Sequence, residues 1–187
     1  MVKFSLKPTA DKRWQGVQRH YFTVFILKNI VLVAFIGLTI AESVLISKWY
    51  KEMWTHPQST KLDGPVEFWT RIGIALIPDV IITFVAIFCM LTQKWHPITA
   101  LCSTVVLSAL WLFCAVINSL ITYSGETIYF ANMDYRDRWD AMCFAETGLQ
   151  AAIAVMYMVM MGFAAKAVHV WRKGPRVLAY RDVEETS

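Results

Sequence analysis

Between residues 21 and 171 the apolar residues are gathered into four runs, each long enough to cross a bilayer, with polar and turn-forming residues mostly between them. A hydrocarbon core about 30 Å thick takes roughly 20 helical residues. Inside it every backbone amide must find its partner within the chain, which a helix does locally. The expected fold is therefore all-α: an integral membrane four-helix antiparallel bundle with spans at about 21–46, 68–91, 98–121 and 141–171. A hydrophobic fraction of 57% in 187 residues fits one membrane domain and little else.

The flanks set an orientation. Residues 1–20 hold five Lys or Arg against a single Asp and read as a basic cytoplasmic tail able to lie on anionic lipid. The 92–97 turn is also basic, whereas the 122–140 segment is net acidic. By the bias of Lys and Arg toward the cytoplasm, both termini belong there, with residues 172–187 as a second tail. The first run is too long for the apolar part of a signal peptide and is read as a retained span. The six-residue link between runs two and three, ending at Pro97, forces a tight helical hairpin. The net charge of +4 belongs to the termini; there is no basic stripe or motif that would point to nucleic acid.

The second run, Phe68 to Leu91, carries Arg71 near one end and Pro78-Asp79 at its middle. At ~1.5 Å per residue, Glu42, Arg71, Asn118 and Glu146 each lie within about 8 Å of the outer membrane surface, in one shared layer. A charge facing lipid is costly, so these four are expected to turn inward, with Arg71 bridging the two carboxylates and Asn118 completing the hydrogen bonds. Such a cluster would lock the bundle or receive a lipid or ligand headgroup.

Asp79 falls ~15 Å deep, at the bilayer centre. Lys28, in the first run, is expected to snorkel back to the cytoplasmic headgroups, leaving no basic residue at the depth of Asp79. Burial without a cation would keep the carboxyl neutral. Pro78, a candidate helix hinge, frees a backbone carbonyl one turn earlier that a neutral acid could satisfy. Asp79 is thus either a packing contact or the one candidate catalytic, proton or cation site.

In the fourth run Ala141, Ala145, Gly148 and Ala152 recur at steps of four, three and four, a small-residue stripe expected to let a neighbouring helix pack closely. Intramolecular packing is the first expectation and self-association the second. The Met-rich MYMVMMGF is read as apolar filling, and no metal or other cofactor is expected. Four cysteines lie in or beside apolar runs, which implies no disulfide framework. Cys89, near the cytoplasmic end of run two, is open to reversible palmitoylation or is simply a small buried hydrophobe.

Catalytic patterns are missing: CxxC, HExxH, P-loop and GxSxG do not occur, and the four histidines fall at or beyond the membrane edges. Intramembrane carboxylates alone could still protonate an isoprenoid or alkene.

Two stretches carry a resemblance. HPITALCSTVVLSALWLFCAVI, with His96-Pro97 opening the helix and Trp111 deep within it, resembles the third span of fungal MARVEL-domain proteins, and RWDAMCFAETGLQAAIAVMYMVMM resembles their fourth. Cys102-Ser103-Thr104 stand where an acidic residue is often found in that family. The resemblance covers residues 20–172 and implies a non-enzymatic tetraspan organiser of membrane domains or vesicle cargo in the plasma membrane or endomembranes. Its implied partners are membrane lipids, other membrane proteins or further copies of itself. The alternatives are a small transporter or channel, a membrane-embedded lipid or isoprenoid enzyme using Asp79, and a subunit of a larger membrane complex.

Overall fold

The computed structural model describes residues 14, 16–54, 64–124 and 133–184, with side chains at 14, 16–48, 71–123 and 137–173. Most of the amino-terminal tail, the tips of the two long loops and the last three residues lie outside the described residues. A 3-10 turn, Gly16–Arg19, leads into α1, His20–Trp54, followed by α2, Gly64–Leu91, α3, Pro97–Ser124, and α4, Met133–Glu184. No strand occurs among the described residues. All four helices are long and apolar enough to span a membrane.

The elements overrun the expected spans. Trp14 and Gln18, counted with the tail, are almost fully buried, and α4 starts before Ala141 and continues through residues assigned to the carboxyl-terminal tail. Tail residues join the core because Trp14 lies against Tyr21 and Phe22, with ring centroids 4.9 and 5.2 Å away, and its Nε1 donates to the Trp95 carbonyl at 3.1 Å.

That carbonyl is placed by a tight link whose local chemistry is explicit. At the end of α2, Gln93 N–H donates to Met90 O and Lys94 N–H to Cys89 O, closing the last turn while Gln93 takes a positive φ of 57°. These paired bonds with a left-handed residue form a Schellman stop, here with Gln in the usual glycine position. Pro97 then opens α3, where its missing N–H costs nothing. His96 Nδ1 accepts from Ile98 N–H at 3.2 Å and so caps the new helix. The His-Pro pair thus has a definite local task.

Packing is closest between α3 and α4, then α1 and α4, then α2 and α3. Long polar side chains join α1 to α2. Each buried face repeats at three- and four-residue steps, such as Ala100, Thr104, Leu107, Trp111, Cys114 and Asn118 on α3. The outside is apolar: Ile30, Val33, Phe84 and Phe88 are all more than half exposed, whereas Lys28, Glu42, Arg71, Asp79 and Glu146 are buried. Apolar outside and charged inside reverses the usual order of a protein in water and suits a lipid surround.

Candidate functional site

The buried polar residues form two groups, an inner one around Asp79 and an outer one around Arg71. Asp79 receives a donor from every helix. Its Oδ1 accepts from Lys28 Nζ on α1 at 2.8 Å, Thr83 Oγ1 on α2 at 3.1 Å and Tyr157 OH on α4 at 2.6 Å. Its Oδ2 accepts from Trp111 Nε1 on α3 at 2.7 Å. Lys28 also donates to Thr83 Oγ1 at 2.9 Å and lies 5.4 and 5.2 Å from the Phe25 and Tyr157 ring centroids. Both members of the ion pair are wholly buried.

This arrangement corrects the expectation that Asp79 has no cation at its depth. Lys28 does not snorkel outward. The reason is depth: the packed segment begins before Tyr21, so Lys28 lies further from its end than the apolar run alone implies. Measured from Gly16, Lys28 is twelve residues in, just as Asp79 is twelve residues from Leu91. Four donors, one of them the Lys28 ammonium, thus converge on a single buried carboxyl group. Pro78 is half-buried and α2 continues through it as a single helix.

In the outer group the structure brings Glu42, Arg71, Asn118 and Glu146 together from four helices. Arg71 Nη2 donates to Glu42 Oε1, while Nη1 donates to Asn118 Oδ1 at 2.6 Å and to Cys143 Sγ at 3.2 Å. Glu146 Oε2 is 3.7 Å from the same Nη1. Asn118 Nδ2 reaches the Cys143 carbonyl at 3.2 Å, and Gln150 Nε2 the Arg71 carbonyl at 3.4 Å. Half-buried Trp139 covers the group: its Nε1 donates to Glu42 Oε1 at 3.0 Å, and its ring centroid lies 5.5 Å from the guanidinium carbon.

The outer group holds more acceptors than donors. Among the described residues Glu42 Oε2 and Gln150 Oε1 have no hydrogen-bond donor, while Glu146 lies against Arg71, Glu42 and Asn118. One guanidinium faces two carboxylates, all of them buried. The available ligand atoms of Glu42, Cys143 and Glu146 lie within 4.8 Å of one another.

The small-residue stripe is not an internal seam. Ala141, Ala145 and Gly148 are exposed and Ala152 is half-buried, and a Cβ added at Gly148 would meet nothing within 4 Å. The reason is rotational. Cys143, Glu146, Gln150, Ile153 and Tyr157 must face inward, and a stripe offset from them turns to the outside. Cys89 is half-buried near the end of α2.

Lys28, Thr83, Trp111 and Tyr157 were not assigned to the Asp79 site from sequence, nor were Cys143 and Trp139 to the outer one. A signal existed: Trp111 and Tyr157 are the polar-tipped aromatics in the middles of runs three and four, where an indole N–H or a phenol needs a buried acceptor. No protein-family model, curated protein or solved structure matches the chain.

Proposed function

We propose that this chain is a MARVEL-like tetraspan membrane scaffold, an antiparallel bundle with both termini cytoplasmic, which organises lipids and partner membrane proteins without performing catalysis. The observation carrying this reading is the saturation of Asp79. A carboxyl group held by Lys28, Thr83, Trp111 and Tyr157 ties all four helices together, with both of its oxygens engaged inside the bundle. It acts as a clamp.

The antiparallel arrangement is supported by the order in which each helix meets the two polar groups. Lys28 precedes Glu42 on α1 and Trp111 precedes Asn118 on α3, while Arg71 precedes Asp79 on α2 and Glu146 precedes Tyr157 on α4. The outer surface supports the scaffold role. An apolar groove of about 460 Å³, lined by Phe25, Ile26, Asn29, Ile30, Val33 and Ile87, runs along the α1–α2 side and has the chemistry of an acyl chain. On α4 the outward Ala141, Ala145 and Gly148 offer a flat face to another transmembrane helix.

Reconstitution of the full chain in liposomes tests the proposal. Proton and cation fluxes equal to those of empty liposomes are expected, together with a large loss of thermal stability in Asp79→Asn. Flux or lipid turnover that disappears in Asp79→Asn while the fold survives would overturn it.

A further inference from the structure

We infer that the end of the bundle where α1 begins and the α2–α3 link turns is a docking surface for anionic phospholipid headgroups, with Arg19, Lys94, Lys166, Arg172 and Lys173 meeting the phosphates. All five are exposed. The inference rests on the reading of this end as cytoplasmic, and it names the class of lipid that the scaffold gathers.

The sequence scatters these cations and the fold collects them. Arg19 precedes α1, Lys94 lies in the link between α2 and α3, and Lys166, Arg172 and Lys173 lie on α4. Three contacts bring the segments to one level. His20, beside Arg19, lies against Phe163 of α4 with ring centroids 6.1 Å apart. His96, in the same link as Lys94, meets the Trp171 ring edge-on at 4.9 Å. Trp14 ties the entry of the chain to that link through its bond to the Trp95 carbonyl. Lys166 stands one turn beyond Phe163 and Arg172 is next to Trp171, so α4 carries a cation close to each of the other two segments.

The bundle does not balance this charge. The acidic side chains among the described residues are Glu42, Asp79, Asp137, Asp140 and Glu146, all at the middle of the bundle or toward its other end. Among the described residues none of the five cations is in an ion pair. Orienting a chain in the membrane needs only an excess of Lys and Arg on one side, spread over loops and tails. Bringing them together around one helix adds mutual repulsion, which an anionic partner relieves.

The depth of the rim says where that partner lies. Val17, Ile98, Val170 and the Trp171 ring are exposed at the same end. Apolar side chains bordered by an aromatic mark the level of the headgroups. Lys and Arg keep their stems on such a surface and carry the charge to its polar edge, where a lipid phosphate is already level with them. The cytoplasmic leaflet is also the one rich in anionic lipid.

The test uses the full chain in phosphatidylcholine liposomes, with spin-labelled phosphatidylserine or phosphatidylcholine as the probe and the protein-bound fraction read by electron paramagnetic resonance. At about fivefold per engaged cation, phosphatidylserine should associate at least about tenfold more strongly than phosphatidylcholine. Roughly 1 M salt, where the screening length is about 3 Å, should remove most of that preference. Lys94→Gln, Arg172→Gln and Lys173→Gln combined should bring the ratio close to one, whereas Lys48→Gln with Arg138→Gln, at the other end, should leave it within about twofold. Equal association of the two lipids with the parent chain would overturn the surface, as would a preference that survives the triple substitution. So would its loss in the Lys48 and Arg138 variant, or full displacement of the lipid by equimolar glycerophosphoserine or acidic peptide, which would give the cations to a soluble anion or to a protein. If the triple variant does not fold, Arg19→Gln with Lys166→Gln and the salt dependence of the parent decide. The ratio is read with both leaflets alike, so its failure would leave the clamp at Asp79 and the sidedness of the termini standing, and a flux that overturned the scaffold reading would leave the ratio standing.

Discussion

The inner and outer polar groups use the same kinds of residue in opposite proportions. At the inner group one carboxylate, Asp79, meets four donors, one from each helix. At the outer group one guanidinium, Arg71, meets two carboxyl groups, and Glu42 Oε2 and Gln150 Oε1 lack donors among the described residues. Equal burial therefore does not mean equal roles. A saturated group is a structural fastening, because any change removes a partner from something that needs it. An acceptor-rich group is fastened through its single cation, so its members should not respond alike.

Substitution at the inner pair should have the largest effect. Lys28→Met leaves the Asp79 carboxylate buried without its cation, and Asp79→Asn leaves the ammonium buried without its anion. Each is expected to cost about 3–5 kcal/mol, the scale for breaking one side of a buried ion pair. The double variant Lys28→Met with Asp79→Asn should cost less than the sum of the two by up to about 3 kcal/mol, since the sites interact directly. Reversible unfolding in mixed micelles, followed by tryptophan fluorescence, measures all three. Additive losses would break the comparison by showing that Lys28 and Asp79 do not act as a pair.

The outer group should respond asymmetrically. Arg71→Met removes the only cation shown against two carboxylates and should destabilise by about 3 kcal/mol or more. Glu146→Gln removes the second carboxyl group facing Arg71 and keeps the side chain's volume. It should lie within about 1 kcal/mol of the parent, or on the stabilising side, because the guanidinium retains Glu42 and Asn118. The same unfolding assay reads both. A Glu146→Gln loss as large as that of Asp79→Asn would mean that the outer group is fastened as tightly as the inner one.

What could be read from the sequence follows from how strongly each feature is constrained. Four membrane-length apolar runs prescribe four helices almost regardless of the other residues. Glu42, Arg71, Asn118 and Glu146 could be grouped because each lies near a span end, where depth counted from the interface accumulates little error. The Lys28–Asp79 pair was missed for the converse reason. It lies at the middle, and burial of Trp14 and Gln18 moves the effective start of the first packed segment by more than a turn. A lysine arm can also reach either way along a helix, and only the presence of Asp79, Thr83 and Tyr157 around its ammonium decides the direction. The α4 stripe shows a third limit: periodicity finds a face, but the requirements of the other faces decide which way it turns.

That stripe supplies the smallest expected change in stability and the sharpest contrast with both buried groups. Gly148 is exposed, and its added Cβ meets nothing within 4 Å, so Gly148→Leu should leave the isolated bundle within about 0.5 kcal/mol of the parent, as surface substitutions usually do. If the face receives another helix, a leucine there holds the two backbones apart and association falls while folding is untouched. Crosslinking or single-molecule bleaching in nanodiscs reads association, and the unfolding midpoint reads the fold. A fall in association with an unchanged midpoint would assign the stripe to contacts between molecules. A fall in the midpoint would instead place Gly148 in the packing of its own bundle, against the outward rotation that Cys143, Glu146 and Tyr157 impose on α4.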